Sequence, residues 1–348
     1  REHTVVYSRV PDRHVDTAIE VMTDMVFAPS FSELDQERDV VLEEIAMYED
    51  SPQELVHDLF SEAVFGSHAL GRPVIGTADV ISAVSRRAVA AYHRSMYTGG
   101  NIVVSAAGSI THEKLVALLQ RAEPRGAEPR RGPRIRRPLV RTPPPGLRFQ
   151  RKDTEQYHLC LGATGIARSD RRRFAASLLD SILGGSASSR LFQEIREKRG
   201  MAYAVYSFAS QYTDTGMIGI YVGTREENLG SCVEICVEQI ADIAAGNFRK
   251  GELARAQESL KGRIMLSMES TSNRMSRLGK SLISDTELLT LERIIREIDA
   301  VDEEELSDLA SVLLESDRLS ASGVGPDEDR FRSAVERANA GLLTPAAA

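Results

Sequence analysis

Two glutamates seven residues apart are the first pair in this chain whose type and spacing bear on chemistry. Glu37 and Glu44 lie in a stretch of helical periodicity over residues 34–48, and seven residues are two helical turns, so both carboxylates share nearly one azimuth. The same stripe carries Val40, Val41, Met47 and Tyr48, while Asp39, Glu43 and Glu49 supply ordinary solvated charge. A carboxylate on a largely apolar face needs a partner, because an isolated buried charge is very costly. An arginine, another cation or a metal ion would serve. The plainer alternative is a long acidic surface helix with two ion-paired glutamates.

Other reactive residue types give less. Cys232 and Cys236 sit one turn apart on an apolar helix without a nearby histidine, a pattern that fits core packing better than a metal site. His68 lies in a loop with Gly66, Gly71 and Arg72 and reads as a loop-packing residue rather than a substrate contact. Gly184-Gly185-Ser186 is not followed by the Gly-Lys-Ser/Thr of a phosphate cradle, so a hinge or loop is expected there.

The elements that must hold these residues are visible as periodicities. Apolar spacing predicts helices over residues 15–26, 34–48, 87–93, 112–122, 174–183, 229–244, 253–266 and 306–314. Short β-branched runs predict strands at 4–10, 102–107, 202–211 and 217–222. Helices and strands come in clusters without regular βαβ alternation, which points to an α+β class with a mixed or antiparallel sheet packed against helices. A length of 348 residues suits two domains at ~100–200 residues each. The formal net charge of −8 argues against a general nucleic-acid binder. No apolar run approaches the ~18 residues of a bilayer span, so no membrane association is expected. Three cysteines with no Cys-x-x-Cys argue against a disulfide framework and for a reducing, cytoplasmic setting.

Seven of the thirteen prolines fall between Pro124 and Pro145, together with Arg125, Arg130, Arg131, Arg134, Arg136, Arg137 and Arg141. This reads as a solvated interdomain spacer, residues 122–146, dividing a first domain (1–121) from a second (147–348). The two sides repeat each other. Ile81-Ser-Ala-Val-Ser85 recurs as Ile298-Asp-Ala-Val-Asp302 at an offset of 217, and each copy continues through a helical stretch to a strand ending at Gly108 or Gly325. Residues 5–26 match 218–240 at an offset near 214, with Asp12 and Glu226 at the caps. Duplication is the economical reading. Projecting the start of the second copy back by the same offset puts the start of the first roughly 70 residues before Arg1, so the first domain is expected to be incomplete at its N-terminus.

The run from Glu37 through Glu44 to Asp50 closely resembles the region of the M16 zinc metallopeptidases that supplies their third metal ligand. Ser67-His-Ala-Leu-Gly-Arg-Pro-Val-Ile-Gly76 and the segment from Leu183-Gly-Gly through Arg196 to Tyr203 are similar to further motifs of that family, in the same order. The resemblance implies two homologous α+β halves closing around an unfolded peptide, with the peptide added as a strand to a sheet edge in the first half. It implies a zinc endopeptidase working through metal-activated water. Glu44 matches the carboxylate zinc ligand and Glu37 the supporting glutamate one heptad earlier. Arg196 and Tyr203, also seven apart, match the pair that the second half presents to substrate near the metal, where they would hold the backbone or steady a developing oxyanion. The family's H-x-x-E-H motif, source of both histidine ligands and the general base, is absent: none of His3, His14, His57, His68, His93, His112 and His158 falls in such a pattern. These residues alone are therefore expected to be inactive. The resemblance also implies pairing, as a homo- or heterodimer, with another M16-type chain. The alternative is a non-catalytic family subunit that binds peptide or partners an active peptidase. Retention of Glu37 and Glu44 favours the enzyme.

Overall fold

Apolar spacing at the helical period is matched by a helix wherever it was read in the chain. A computed structural model describes residues 1–122 and 143–343. The proline- and arginine-rich stretch at 123–142, most of the expected spacer, lies outside the described residues. In chain order the elements are α1 (Val15–Phe27), α2 (Leu34–Asp50), α3 (Pro52–Phe65), α4 (Ala78–Ala83), α5 (Arg86–Met96), α6 (His112–Ala122), β1 (Leu147–Arg151), β2 (Tyr157–Gly165) and α7 (Arg173–Leu183). A π-helical turn (Phe192–Glu197) follows, then β3 (Ala202–Gln211), β4 (Gly216–Thr224), α8 (Leu229–Ala244), α9 (Glu252–Ser267), α10 (Thr271–Ile283), α11 (Leu291–Asp299), α12 (Glu303–Leu313), β5 (Ser320–Gly325) and α13 (Glu328–Val335). Side-chain caps close several N-termini. The Ser85 hydroxyl accepts from the Ala88 N–H at 3.3 Å, and Asp302 accepts from the Glu305 N–H at 2.8 Å, each satisfying a donor the helix leaves free.

By packing, the residues divide into two units. The larger comprises Ala46–Val74, the described part of Leu139–Arg263, and the described part of Leu289–Ala348. It holds one five-stranded mixed sheet in the order β1-β5-β2-β4-β3, parallel between β1 and β5 and antiparallel elsewhere. Side chains alternate across it. On β5 the Ser322 hydroxyl donates to the Val56 carbonyl of α3 at 2.8 Å, and the neighbouring Gly323 leaves room for Phe331 of α13 on the opposite face. Val56, Phe60, Val64 and Phe65 of α3 form a buried cluster with Cys160, Met217, Tyr221 and Val324 of the strands. Gly219 lets that helix come close, since a Cβ there would lie 2.6 Å from Phe208 Cζ and 2.7 Å from Phe60 Cε1. His57, also on α3, bonds the Tyr206 hydroxyl through Nε2 at 2.9 Å and stacks on Tyr221. Burial in this aromatic setting pushes its imidazole below the ordinary value, against a smaller opposing effect from Asp58.

The smaller unit comprises Arg1–Ile45, the described part of Ile75–Pro138, and Ile264–Leu288. Here α1 packs on α6, with Asp16 near both Lys114 (3.9 Å) and Arg121 (3.7 Å). The Arg38 guanidinium of α2 donates to the carbonyls of Ile81 (3.2 Å) and Val84 (2.8 Å). The strands expected at 4–10 and 102–107 are not formed: both segments are irregular, and Val5, Tyr7 and Val104 are exposed. β-branched residues favour a strand only where a ladder partner is available. Among the described residues of this unit there is no other strand to pair with.

The duplication read from sequence recurs in the helices. The 3₁₀ turn Asp12–His14 leading into α1 corresponds to Glu226–Asn228 leading into α8, 214 residues on. Likewise α12 and the 3₁₀ turn Ser316–Arg318 stand 217 residues after α5 and the turn Gly99–Asn101, end for end. The packed units, however, do not follow the spacer. Residues 46–74, first-copy by sequence, pack in the larger unit, and their counterparts at 264–288 pack in the smaller.

Because Phe60 is fully buried against the sheet, Phe60→Ala is expected to destabilise the larger unit by about 3–5 kcal/mol. Gly219→Ala, which overfills the same contact, is expected to cost about 1–3 kcal/mol. Urea unfolding followed by far-ultraviolet circular dichroism measures both. Wild-type midpoints for the two variants would contradict this packing.

Candidate functional site

The glutamate pair does not lie where the apolar stripe suggested. Glu37 and Glu44 are both exposed, as are Val40, Met47 and Tyr48 beside them, with Met47 71% accessible. The helix turns inward instead by Leu34, Arg38, Val41, Leu42 and Ile45, an i, i+4, i+7, i+8, i+11 series that is equally helical. Arg38, fixed by its two backbone carbonyls and by Asp35 at 2.5 Å, holds that face in. The expectation of two carboxylates on a buried face is therefore corrected. The sequence carries apolar residues on both sides of α2, and burial follows the side that Arg38 anchors. Among the described residues neither Glu37 nor Glu44 makes an ion pair, and no group of three or more His, Cys, Asp or Glu side chains could hold a metal ion. A lone exposed carboxylate is one donor of the three that a catalytic zinc site needs. The described residues do not by themselves fit zinc.

The second pair does come together. Arg196 sits in the π-helical turn and Tyr203 at the start of β3, an edge strand of the sheet. The Arg196 Nη1 donates to the Tyr203 carbonyl at 2.8 Å. Its guanidinium carbon stands 4.4 Å from the Tyr203 ring centroid and 4.7 Å from that of Phe192, so the cation is held between two aromatic faces. Tyr203 is 79% exposed, an unusual setting for a ring fixed on one side by an arginine. Such an assembly offers a planar donor and a flat apolar surface side by side. That combination suits backbone carbonyls and apolar side chains of an extended chain.

Sequence reading missed what fixes this turn. Glu194, only 8% exposed, takes Lys198 and Arg249 on Oε1 (2.7 and 2.8 Å) and Arg199 on Oε2 (2.7 Å). Burial alone would raise its carboxyl, but the hydrogen bonds from Lys198 and Arg199 and the charges of Lys198 and Arg249 outweigh burial and bring it down to about 2. Arg190, 1% exposed, forms a bidentate pair with Glu252 (3.0 and 2.6 Å) and donates to the Asn247 carbonyl at 2.9 Å. The Glu194–Lys198 spacing of four was a legible signal. The partners in the loop between α8 and α9 and at the start of α9 are far away in sequence and gave none.

The remaining candidates are structural. Cys160, Cys232 and Cys236 are free and buried, and burial pushes all three thiols up. His68 caps a 3₁₀ turn, its Nδ1 accepting from the Leu70 N–H at 3.2 Å. Gly184 closes α7 in a loop against β3, where a Cβ would meet the Ser207 nitrogen at 2.2 Å. The edge expected in the first half has no strand among the described residues of the smaller unit, and the open edges belong to β1 and β3.

A five-stranded mixed sheet clad in helices, with a duplicated helical pattern, defines an α+β protein of two related halves. The family model for insulinase (peptidase family M16) matches residues 1–78, and the one described as the peptidase M16 inactive domain matches residues 83–260. An uncharacterized zinc protease of Streptomyces coelicolor is 38% identical over 350 residues, spanning 97% of this chain and 75% of its own length. One from Bacillus subtilis is 37% identical over 319 residues, spanning 91% and 77%. Two solved structures share the fold, each covering 91% of this chain. They are a peptidase M16 inactive domain from Pseudomonas fluorescens (TM-score 0.81, 23% identity, 76% of that chain) and a protease from Helicobacter pylori (0.81, 18%, 78%). The chain belongs to the M16 peptidase family. No described helix is long and apolar enough to cross a membrane.

The Glu194 cluster carries a pH signature. Its carboxyl is near 4.5 when unfolded and about 2 when folded, so the unfolded state binds more protons between those values. Wild type is expected to exceed Glu194→Gln in stability by about 2–3 kcal/mol at neutral pH, with the margin shrinking as pH falls from 4.5 toward 2. Chemical unfolding at pH 7, 4.5 and 3 measures it, and a margin independent of pH would contradict the clustered charge.

Proposed function

We propose that this chain takes part in zinc-dependent endopeptidase chemistry of the M16 kind, supplying the surface that holds an extended peptide. The carrying observation is Arg196, clamped between Phe192 and the exposed ring of Tyr203 at a sheet edge. In this reading Tyr203 gives the peptide a flat apolar contact, and the Arg196 guanidinium N–H groups engaged neither by the Tyr203 carbonyl (2.8 Å) nor by Glu197 (3.6 Å) give its backbone carbonyls a donor. Relatives named as zinc proteases support the metal, with Glu44 as the carboxylate offered to it and Glu37 as its supporting neighbour. The two histidine ligands would come from outside these 348 residues, since no H-x-x-E-H occurs in them. No catalytic step is assigned to the chain alone. The substrates proposed are extended peptides or presequence-like segments, and the partner proposed is a second M16-type chain. Three free, buried thiols agree with a reducing, cytoplasmic setting.

A second reading, a non-catalytic family subunit that binds peptide, is favoured by one observation: Glu37 and Glu44 are exposed and without ion-pair partners among the described residues. Both readings share the peptide surface and differ at α2.

On the 348-residue chain, Arg196→Ala and Tyr203→Ala are each expected to weaken binding of a dye-labelled unstructured peptide by about tenfold or more in fluorescence anisotropy, the scale of an interface anchor. Unchanged affinity in both would remove this site. The chain is expected to cleave no peptide with or without added zinc, and zinc calorimetry is expected to be the same for wild type and Glu44→Gln. If zinc-dependent cleavage by the chain is lost in Glu44→Gln, the site is more complete than its donors indicate. In an assembly that does cleave, loss of zinc in Glu44→Gln would favour the enzyme reading, and retained zinc the non-catalytic one.

A further inference from the structure

The turn that carries Arg196 is fastened twice, once on each side of Phe192, and both fastenings go to the loop between α8 and α9 and the first residue of α9. Before Phe192, the buried Arg190 guanidinium binds Glu252 through two hydrogen bonds and the Asn247 carbonyl through a third. After it, Glu194 binds Arg249 at 2.8 Å. The two fastenings are themselves joined, because the Arg249 backbone N–H donates to Glu252 at 3.1 Å. Arg249 also reaches Gln239 of α8 at 3.2 Å, which ties the loop to a buried side chain of that helix. Just after the turn, Lys198 and Arg199 fold back onto Glu194, and Arg199 additionally donates to the Glu194 carbonyl at 2.8 Å.

A π-helical turn is a poor backbone minimum, used sparingly and held by its surroundings. In this one the ring of Phe192, the lower half of the arginine clamp, lies between the two anchored residues Arg190 and Glu194. We propose that Glu194 is a positioning residue for peptide recognition: by binding cations from the residues just after the turn and from the α8–α9 loop, it keeps Arg196 seated between Phe192 and Tyr203. The proposal rests on the reading of Arg196 and Tyr203 as the peptide-holding pair. Glu194 touches no peptide in this arrangement; its carboxylate is occupied by three cations. Its influence is carried by the backbone of the turn, and Arg249 is the cation that makes the turn and the loop one body.

A double-mutant cycle separates this role from general support of the fold. Peptide affinity is measured by anisotropy with one dye-labelled unstructured peptide for wild type, Glu194→Gln, Arg196→Ala and the double variant, with thermal midpoints recorded in parallel. Glu194→Gln is expected to weaken binding by about fivefold to tenfold in the wild-type background and by less than twofold once Arg196 is already alanine. Arg249→Gln, altering an exposed loop cation, is expected to follow the same pattern more weakly, and it decides the matter should Glu194→Gln fail to fold. Equal losses in both backgrounds, or full affinity in the Glu194 or Arg249 variant that folds, overturn the positioning role. If Arg196→Ala binds as wild type, or the wild type does not bind, the peptide-surface reading itself has failed.

Discussion

Everything positioned in the larger unit depends on α3 lying flat on the sheet. A sheet with one bare apolar face is not a stable object, and α3 supplies the cover. The contact works because β4 carries glycine at position 219, where a side chain would strike both Phe208 and Phe60. Polar groups are satisfied in the same interface: Ser322 bonds the Val56 carbonyl, and His57 bonds Tyr206. Loss of this cover would expose the face that supports β3, and with it the strand that carries Tyr203. The covering helix belongs by sequence to the other repeat, so the duplication is completed in space by an exchange of segments.

On that base the candidate site is an electrostatic construction. The sheet gives Tyr203 a fixed place at an edge, but Arg196 comes from an irregular turn that has no ladder to hold it. Order there comes from two buried carboxylates: Glu252 against the buried Arg190, and Glu194 against three cations whose own side chains are about half exposed. Taken singly, solvent-facing pairs contribute little. These share acceptors with one another and with backbone groups, and the two acidic centres are buried, which is where such networks have leverage over conformation.

The sequence was informative wherever local pattern decides structure. Helix α8 and the strand at 202–211 occur at the expected bounds, and the offset of 217 read from a pentapeptide is matched by α5 and α12. Pattern failed where a partner decides. Residues 4–10 and 102–107 have strand composition and no ladder, and α2 has apolar residues on two faces, of which Arg38 selects one. For the site, the Arg196–Tyr203 pair was legible through family resemblance, and the structure brings the two residues into contact. The apolar face expected around Glu37 and Glu44 is solvent-exposed, as the alternative of an acidic surface helix has it, but among the described residues neither glutamate has an ion-pair partner. The cluster around Glu194 went unread because its decisive partner, Arg249, is distant in sequence and close only after α8 and α9 have packed.

Peptide held at the Arg196–Tyr203 surface would cover the π-helical turn and the start of β3. The direct test is hydrogen–deuterium exchange of the 348-residue chain with and without a saturating unstructured peptide, resolved by mass spectrometry. Slowed exchange is expected to concentrate in residues 192–211, covering the π-helical turn and β3. Protection confined to other segments, with that stretch exchanging as in the free chain, would contradict it.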